Sequence, residues 1–315
     1  MISVGIIGAG IISKAHVKAI KAHGDSKIQA VADIVLERAQ AIADEWGANS
    51  YTDYQEMLDK ENLDVVIINL PHALHEPCVL ACAARKVNVL LEKPMSVSEE
   101  SCKRMVAACK EAGVLLKVGH VQRYDPSNRV ARDIIASGEL GQLVMVHDMR
   151  SANYFVPTRP KWFLKKETAG GGIWINLGAH CLDKLCYLTD STIESIAGQC
   201  TWLQEDVDVD VDGSAQAFVK TKSGVSGVIS LCGYSVAPSN ETRILLTKGS
   251  IRLRSGLDVS VVKDGQEIPQ DISHYPSMFE AQWEDMVKSL ECGEVINNDG
   301  VYAGHIIRNI EALWK

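Results

Sequence analysis

Ser3-Val4-Gly5-Ile6-Ile7-Gly8-Ala9-Gly10-Ile11-Ile12-Ser13 is the stretch on which the fold turns. A short apolar run leads into a turn with two glycines. A helical pattern from Ile11 to about His23 follows at once. In G-x-G-x-x-G the first glycine permits the tight turn and the second lets backbone approach a pyrophosphate. The third allows close packing of helix on strand. Ser13 takes that third place here, which predicts slightly looser packing. The first turn of such a helix offers unpaired N–H groups and partial positive charge to phosphates. Gly8, Gly10, Ile11 and Ile12 are therefore candidate cofactor contacts.

Working outward, Ile28–Ala32 reads as a second strand closed by Asp33. The acid lies roughly 20 residues beyond Gly10, where a carboxylate accepts bonds from ribose hydroxyls and repels a 2′-phosphate. That favours NAD over NADP, while Arg38, a turn further on, could accommodate NADP. A surface glycine turn with a capping aspartate would show the same letters. Strand, loop, helix and acid in register favour nucleotide binding.

Strands and helices then alternate: Val35–Trp46 helical, Val65–Asn69 extended, Glu76–Arg85 helical, Val87–Leu91 extended, Glu99–Glu111 helical and Val114–Val118 extended. This spacing predicts a doubly wound parallel sheet covered on both faces. The pattern changes after Gly119. A helix over Asn128–Ser137 and a strand over Leu143–Arg150 precede a loop from Asn153 to Lys166. Gly170-Gly171-Gly172 then opens a helix to about Leu188. Several strands with Gly and Ser turns occupy Ile193 to Val262, and Phe279–Leu290 and Gly304–Leu313 close the chain as helices. The expectation is α/β: an N-terminal Rossmann domain over 1–120 and a C-terminal α+β domain over 121–315 on an open, mostly antiparallel sheet. The last helix could pack back on the first domain.

Two places carry candidate chemistry. Lys93, in Leu91-Glu92-Lys93-Pro94, sits at a strand end, where open α/β sheets bind ligands. An ammonium there can stabilise an alkoxide or polarise a carbonyl, although a lone lysine is commonly a solvated loop residue. Past the glycines, Asn176, His180 and Asp183 share one helical face by their spacing. The triple glycine would let a ligand approach the helix start. Histidine titrates near neutrality and can take a hydroxyl proton. The alternative is a buried histidine held by Asp183.

Gly8–Ser13, Glu92-Lys93-Pro94, Gly171-Gly172-x₃-Asn176-x-Gly178-x-His180-x-x-Asp183 and Gly119-His120-x-Gln122-Arg123-Tyr124 together resemble the Gfo/Idh/MocA family. That family is named for glucose–fructose oxidoreductase and inositol dehydrogenase. The resemblance covers most of the chain. It implies an active site between the two domains and NAD(P)-dependent oxidation of a secondary hydroxyl on a sugar or cyclitol, or the reverse reduction. By this resemblance Lys93 and His180 are the catalytic lysine and histidine. Asn69, Pro71, His75, Glu92, Lys93 and Gln122 match cofactor-lining positions, and the Lys93–Pro94 bond is similar to one often cis in the family. The family's usual aspartate is replaced by Asn176, so the hydrogen-bonding amide joins Lys93 and His180 without the charge. Two rivals stand beside this reading: a redox-neutral, NAD-dependent glycoside-processing enzyme and a non-catalytic dinucleotide-binding module.

The remaining features bound the answer. The 315 residues fit about two domains. A formal charge of −8 argues against non-specific nucleic-acid binding. No apolar run is long enough for a membrane span, and the N-terminus lacks signal-peptide character. Nine cysteines without C-x-x-C read as reduced thiols, which points to a cytoplasmic protein. Asp208-Val-Asp210-Val-Asp212-Gly213 opens like a Ca²⁺ loop, but Val219 replaces the required Glu. A strand with acidic and apolar faces explains it better. His72 and His75 lack H-E-x-x-H, so no metal is expected. Arg159, Trp162 and Tyr234 are candidate substrate contacts, since rings and cations suit a sugar face. The loop from Asn153 to Lys166 could instead serve oligomer contacts, and a broad sheet face in the second domain would suit a homodimer or homotetramer.

Overall fold

The structure is a computed structural model that describes residues 1–203 and 209–314. The chain divides into two compact units, Met1–Gly119 with Phe279–His305 and His120–Met278 with Ile306–Lys315.

Chain order through the first stretch is β1 (Ile2–Ile7), α1 (Ser13–His23), β2 (Ser26–Ala32), α2 (Leu36–Trp46), β3 (Asn49–Tyr51), α3 (Tyr54–Lys60), β4 (Val65–Ile68), α4 (His75–Ala84), β5 (Asn88–Glu92), α5 (Glu99–Ala112) and β6 (Leu116–Gly119). The strands form one sheet in the order β3-β2-β1-β4-β5-β6, with every pair parallel. Strand order reverses beside β1, so the crevice beyond the carboxyl ends of β1 and β4 is the topological switch point. β4 is buried along its whole length, as a strand covered on both faces should be. Caps set several helix limits. Ser98 accepts from the Ser101 N–H at the start of α5, and Gly113 ends it in the left-handed conformation. The short β3 and α3 were not expected. β3 has three residues and a polar edge, whereas α3 is started by Asp53, which accepts from Gln55 N.

The second stretch runs α6 (Pro126–Ser137), β7 (Leu143–Asn153), α7 (Lys166–Ala169), α8 (Ala179–Thr189), β8 (Ile193–Thr201), β9 (Ser214–Thr221), β10 (Ser226–Cys232), β11 (Tyr234–Leu246), β12 (Gly249–Arg254), β13 (Asp258–Lys263) and β14 (Gln266–Pro269). Its eight-stranded sheet has the order β14-β13-β12-β11-β7-β10-β9-β8. Only the β7–β10 pair is parallel. The fold class is therefore a parallel doubly wound sheet plus an open, mostly antiparallel one. Buried Val146, Ile229, Leu231 and Ile244 face inward from this sheet. α8 lies on that face: a Cβ at Gly227 of β10 would meet Leu185 Cδ2 at 2.8 Å. The contact is tight enough that any larger residue there would require the leucine tip to shift.

Two helices finish the chain, α9 (Met278–Cys292) and α10 (Gly300–Ala312). Trp283, Met286 and Val287 of α9 join the core built from Val4, Ile6, Ile20, Ile28 and Leu90. Trp283 Nε1 donates to Ser26 Oγ at 3.1 Å, which satisfies the one polar atom of a ring otherwise sealed from water. Burying side chains of this kind contributes roughly 1.5–3 kcal/mol each. That burial explains why Phe279–His305 belongs to the unit of the first 119 residues. Among the described residues no helix is long and apolar enough to cross a membrane.

Candidate active site

The phosphate loop comes first. Gly8 has φ of +90°, and a Cβ there would strike the Asn69 carbonyl oxygen at 2.6 Å. A side chain is excluded twice over, by torsion and by the β4 loop. Gly10 is the opposite case, with no described atom within 4 Å of its Cβ position. The space over Gly10 is what close approach of a pyrophosphate requires. Ser13, in the third place, is buried and donates from Oγ to the Gly10 carbonyl at 2.6 Å. Among the described residues no side chain caps α1, and its first turn carries no acid. Ile11 is 85% exposed and Ile12 half-exposed beside it.

Asp33 braces the same loop. Its carboxylate accepts from Ala9 N at 2.8 Å and Val35 N at 2.9 Å, and each oxygen keeps a lone pair for a ribose hydroxyl. Arg38 is exposed on α2. Asn69 donates to the Gly8 carbonyl at 3.3 Å, while its buried Oδ1 has no partner among the described residues. Pro71 starts the short 3₁₀ turn His72–Leu74. An open cradle at Gly10, an uncapped helix start and an unpaired amide oxygen together fit a dinucleotide. Asp33→Ala removes a charged acceptor and unpairs Ala9 N. We expect NADH affinity to fall about 10–100-fold, with weaker discrimination against NADPH, in a fluorescence titration.

Lys93 follows β5, and its bond to Pro94 is cis. Glu92 is buried, and its Oε2 accepts from Lys93 N at 3.2 Å. Burial pushes the Glu92 carboxyl up, but the hydrogen bond from His16 and the charges of His16 and Lys93 outweigh it. They hold it below the usual carboxylate range. His75 is fully buried. Its Nε2 faces the Leu70 carbonyl at 2.9 Å, and its Nδ1 faces those of Pro94 and Met95 at 3.0 and 3.2 Å. Burial lowers its pKa against those bonds. His75 thus sits between the β4 loop and the β5 loop, its one N–H donating to a carbonyl of one of them.

In the second unit, the expected single helix after the triple glycine opens as a π-helical turn over Trp174–Gly178, and α8 begins only at Ala179. Such turns recur at functional sites. Asn176 sits in the turn and His180 just beyond it, both more than nine-tenths buried. Asn176 Nδ2 reaches the Tyr154 hydroxyl at 3.4 Å. Tyr154 is buried, and burial pushes its phenol up to about 12, so it stays neutral. Asp183 Oδ1 accepts from Arg123 Nε at 3.0 Å and Nη2 at 2.7 Å, a buried charged pair. That pair pins the helix bearing His180 to the 3₁₀ turn Val121–Tyr124. Gln122 lies in this turn, with Oε1 buried and without a partner among the described residues.

The glycines do not open space for a ligand, as their sequence invited. A Cβ at Gly172 would lie 1.9 Å from the Asp212 carbonyl oxygen, and one at Gly171 would lie 2.6 Å from the Trp314 ring. They make room for the chain itself. Asp212, buried, accepts from Gly172 N and Trp174 N, each at 2.8 Å, and so caps the helix start. Burial raises its pKa against these bonds. The alternating strand expected around the acidic run is likewise absent over 209–212, and Asp208 lies outside the described residues. Among the described residues no cluster of three metal-ligating side chains occurs.

The candidate sugar contacts are each engaged with neighbouring side chains or backbone. The Arg159 guanidinium lies 3.9 Å over the Tyr154 ring, and its Nε donates to the Tyr154 carbonyl. Burial lowers its pKa. Trp162 stacks on Phe163 at 3.7 Å. Tyr234 stacks on Phe155 at 5.2 Å, and its hydroxyl accepts from Leu203 N. Sequence reasoning missed His16, Asp212, Arg123 and Tyr154 as parts of these arrangements. The only local signal for His16 was a histidine on the buried side of α1.

Residues 2–120 match the family model for the oxidoreductase family with an NAD-binding Rossmann fold, GFO_IDH_MocA, and residues 128–252 match the GFO/IDH/MocA C-terminal domain. A sheet of this order with a glycine loop at its switch point is a dinucleotide-binding architecture, and by both matches the chain belongs to the Gfo/Idh/MocA oxidoreductase family. It is 30% identical over 196 residues to 2,7-anhydro-N-acetylneuraminate hydratase of Escherichia coli K12, covering 62% of this chain and 52% of that protein. It is 27% identical over 230 residues to myo-inositol 2-dehydrogenase of Thermotoga maritima, covering 72% and 67%. The chain thus spans between about half and two thirds of these relatives. Levoglucosan dehydrogenase, solved with NADH and levoglucosan, superposes with a TM-score of 0.89 at 20% identity over 99% of this chain and 96% of its own. At that identity the likeness is one of fold.

Proposed function

We propose that the protein is an NAD-dependent dehydrogenase, NADP being the weaker alternative, that oxidises a secondary hydroxyl of a sugar, sugar derivative or cyclitol, or reduces the ketone. The observation that carries this reading is Lys93 at the end of β5, on the same sheet as the open cradle at Gly10. Bound NAD supplies the hydride acceptor. The Lys93 ammonium hydrogen-bonds the reacting hydroxyl and stabilises its alkoxide character. The His180 imidazole takes the proton. Asn176, steadied by Tyr154, orients the substrate or the imidazole through neutral hydrogen bonds. Arg159, Trp162 and Tyr234 form the wall against which a sugar ring rests.

The test is NADH formation with a panel of myo-inositol, levoglucosan, D-glucose and xylitol at saturating NAD. Absence of turnover in a protein that still binds NADH would sink the dehydrogenase reading. A redox-neutral reaction, in which tightly held NAD oxidises a sugar carbon transiently, is the second reading. The hydratase name of one relative favours it. Product formation without NADH accumulation separates the two.

Asn176→Asp places a carboxylate near His180 and favours the imidazolium. Oxidation needs the neutral ring, so the acid limb of the kcat/KM profile should move to higher pH by about one unit. An unchanged profile would show that position 176 does not govern the base.

A further inference from the structure

We propose that His16, on the helix that opens at the phosphate loop, is a positioning residue for Lys93 and acts through Glu92. This rests on the reading of Lys93 as catalytic. His16 Nε2 lies 2.8 Å from Glu92 Oε1, and the two side chains are only 3% and 11% exposed. The other carboxylate oxygen takes the Lys93 backbone N–H at 3.2 Å. One carboxylate therefore holds the ring of α1 on one side and the start of the lysine loop on the other. Phe279 of α9 meets the His16 ring edge-on at 5.1 Å and 86°, which fixes the ring plane.

The surroundings give Glu92 few other supports. Lys93 acts on it electrostatically from its own loop, and the carboxylate in turn acts on His75 of α4. Gln282 of α9 is buried beside the same strand end. A Cβ at Gly119 would lie 3.4 Å from Glu92 Oε1 and 3.6 Å from Gln282 Oε1. Both amide atoms of Gln282 lack a partner among the described residues. A carboxylate this buried keeps its charge only while donors face it. His16 supplies the side-chain donor. The charge so maintained sits beside Lys93 and favours its ammonium form. Because His16 rides on α1, the element that receives the phosphates also steadies the lysine.

The test is a double-mutant cycle of His16→Leu and Glu92→Gln with two readouts. One is turnover on whichever member of the sugar and cyclitol panel gives most NADH. The other is the rate of Lys93 acetylation by acetic anhydride at about pH 8, read by mass spectrometry, which needs no turnover. A cooperative thermal unfolding transition within about 3 °C of wild type certifies each variant as folded. Glu92→Gln should speed acetylation about threefold, because the ammonium loses its neighbouring charge. His16→Leu should shift acetylation in the same direction and cut turnover about tenfold. In the Glu92→Gln background it should add less than about twofold to either. His16→Gln keeps an N–H toward Glu92 and should stay within about threefold of wild-type turnover. Multiplying effects, or unchanged acetylation in His16→Leu, would overturn the proposal. If Lys93→Met retains turnover, the catalytic reading of Lys93 falls instead, and the acetylation cycle alone then decides the coupling. Should His16→Leu not fold, His16→Ala takes its place in the cycle with the same expected and overturning results.

Discussion

Lys93→Met is expected to lower turnover by about 10²–10³-fold while leaving NADH affinity within about threefold of wild type. Methionine keeps the length and the apolar stem of lysine and removes only the ammonium. The lysine backbone stays held by Glu92, so the loop should keep its course. What disappears is the positive charge that, on the proposed function, meets the developing alkoxide. That interaction strengthens toward the transition state, and its loss therefore appears in kcat more than in KM. The measurement is steady-state NADH formation beside a direct NADH titration. Equal losses in kcat and in cofactor affinity would mean that the lysine serves binding alone. Turnover within tenfold of wild type would remove Lys93 from the chemistry.

The parts of the fold that sequence reading reached are those whose signals are local. The β1 run, the glycine turn, the helix after it and Asp33 follow from spacing over some thirty residues. Their structure is fixed by the same short-range terms: a positive φ at Gly8, a strand buried continuously over its last four residues and a helix start. β3 was missed because three residues at a polar edge carry no hydrophobic period. The π turn at Trp174–Gly178 was missed for a different reason. Its backbone is set by contacts distant in sequence, the Asp212 cap and the bond from Trp174 Nε1 to the Ile310 carbonyl. No window along the chain contains both ends of those bonds.

The site divides along the same line. Gly8, Gly10, Asp33 and Lys93 could be proposed from the sequence because motif and strand end lie together there. His16 and Glu92 are separated by 76 residues, and Arg123 and Asp183 by 60, so their pairing is visible only once folded. Asp183 illustrates the cost. Spacing made it a neighbour of His180, while the structure shows it accepting two bonds from Arg123. His75 was expected along the cofactor by family likeness, and both its nitrogens face backbone carbonyls. A residue type recurring in a motif can serve the frame that carries the ligand contacts.

That frame is most exposed to attack at Gly172. Gly172→Ala should destabilise the second unit by about 3 kcal/mol, the sum expected from overpacking and lost buried hydrogen bonds. The added Cβ would sit 1.9 Å from the Asp212 carbonyl oxygen and 2.8 Å from its carbonyl carbon and its N. These are backbone atoms, so no rotamer can relieve the clash. Either residues 171–173 or the segment around 212 must move. Movement breaks a set of bonds made by one residue: Gly172 N and Trp174 N to the Asp212 carboxylate, and Ile173 N to its carbonyl at 3.0 Å. The Asp212 carboxylate would then be buried without donors, which costs more than the bonds themselves. For a unit of this size the melting temperature should fall by roughly 6–12 °C. Asn176 and His180 start from this helix end, so turnover should fall even below the new melting point. Differential scanning calorimetry with steady-state NADH formation reads both parts. A melting temperature within about 2 °C of wild type would show that segments 171–173 and 212 separate freely, and the anchoring assigned to Asp212 would be wrong.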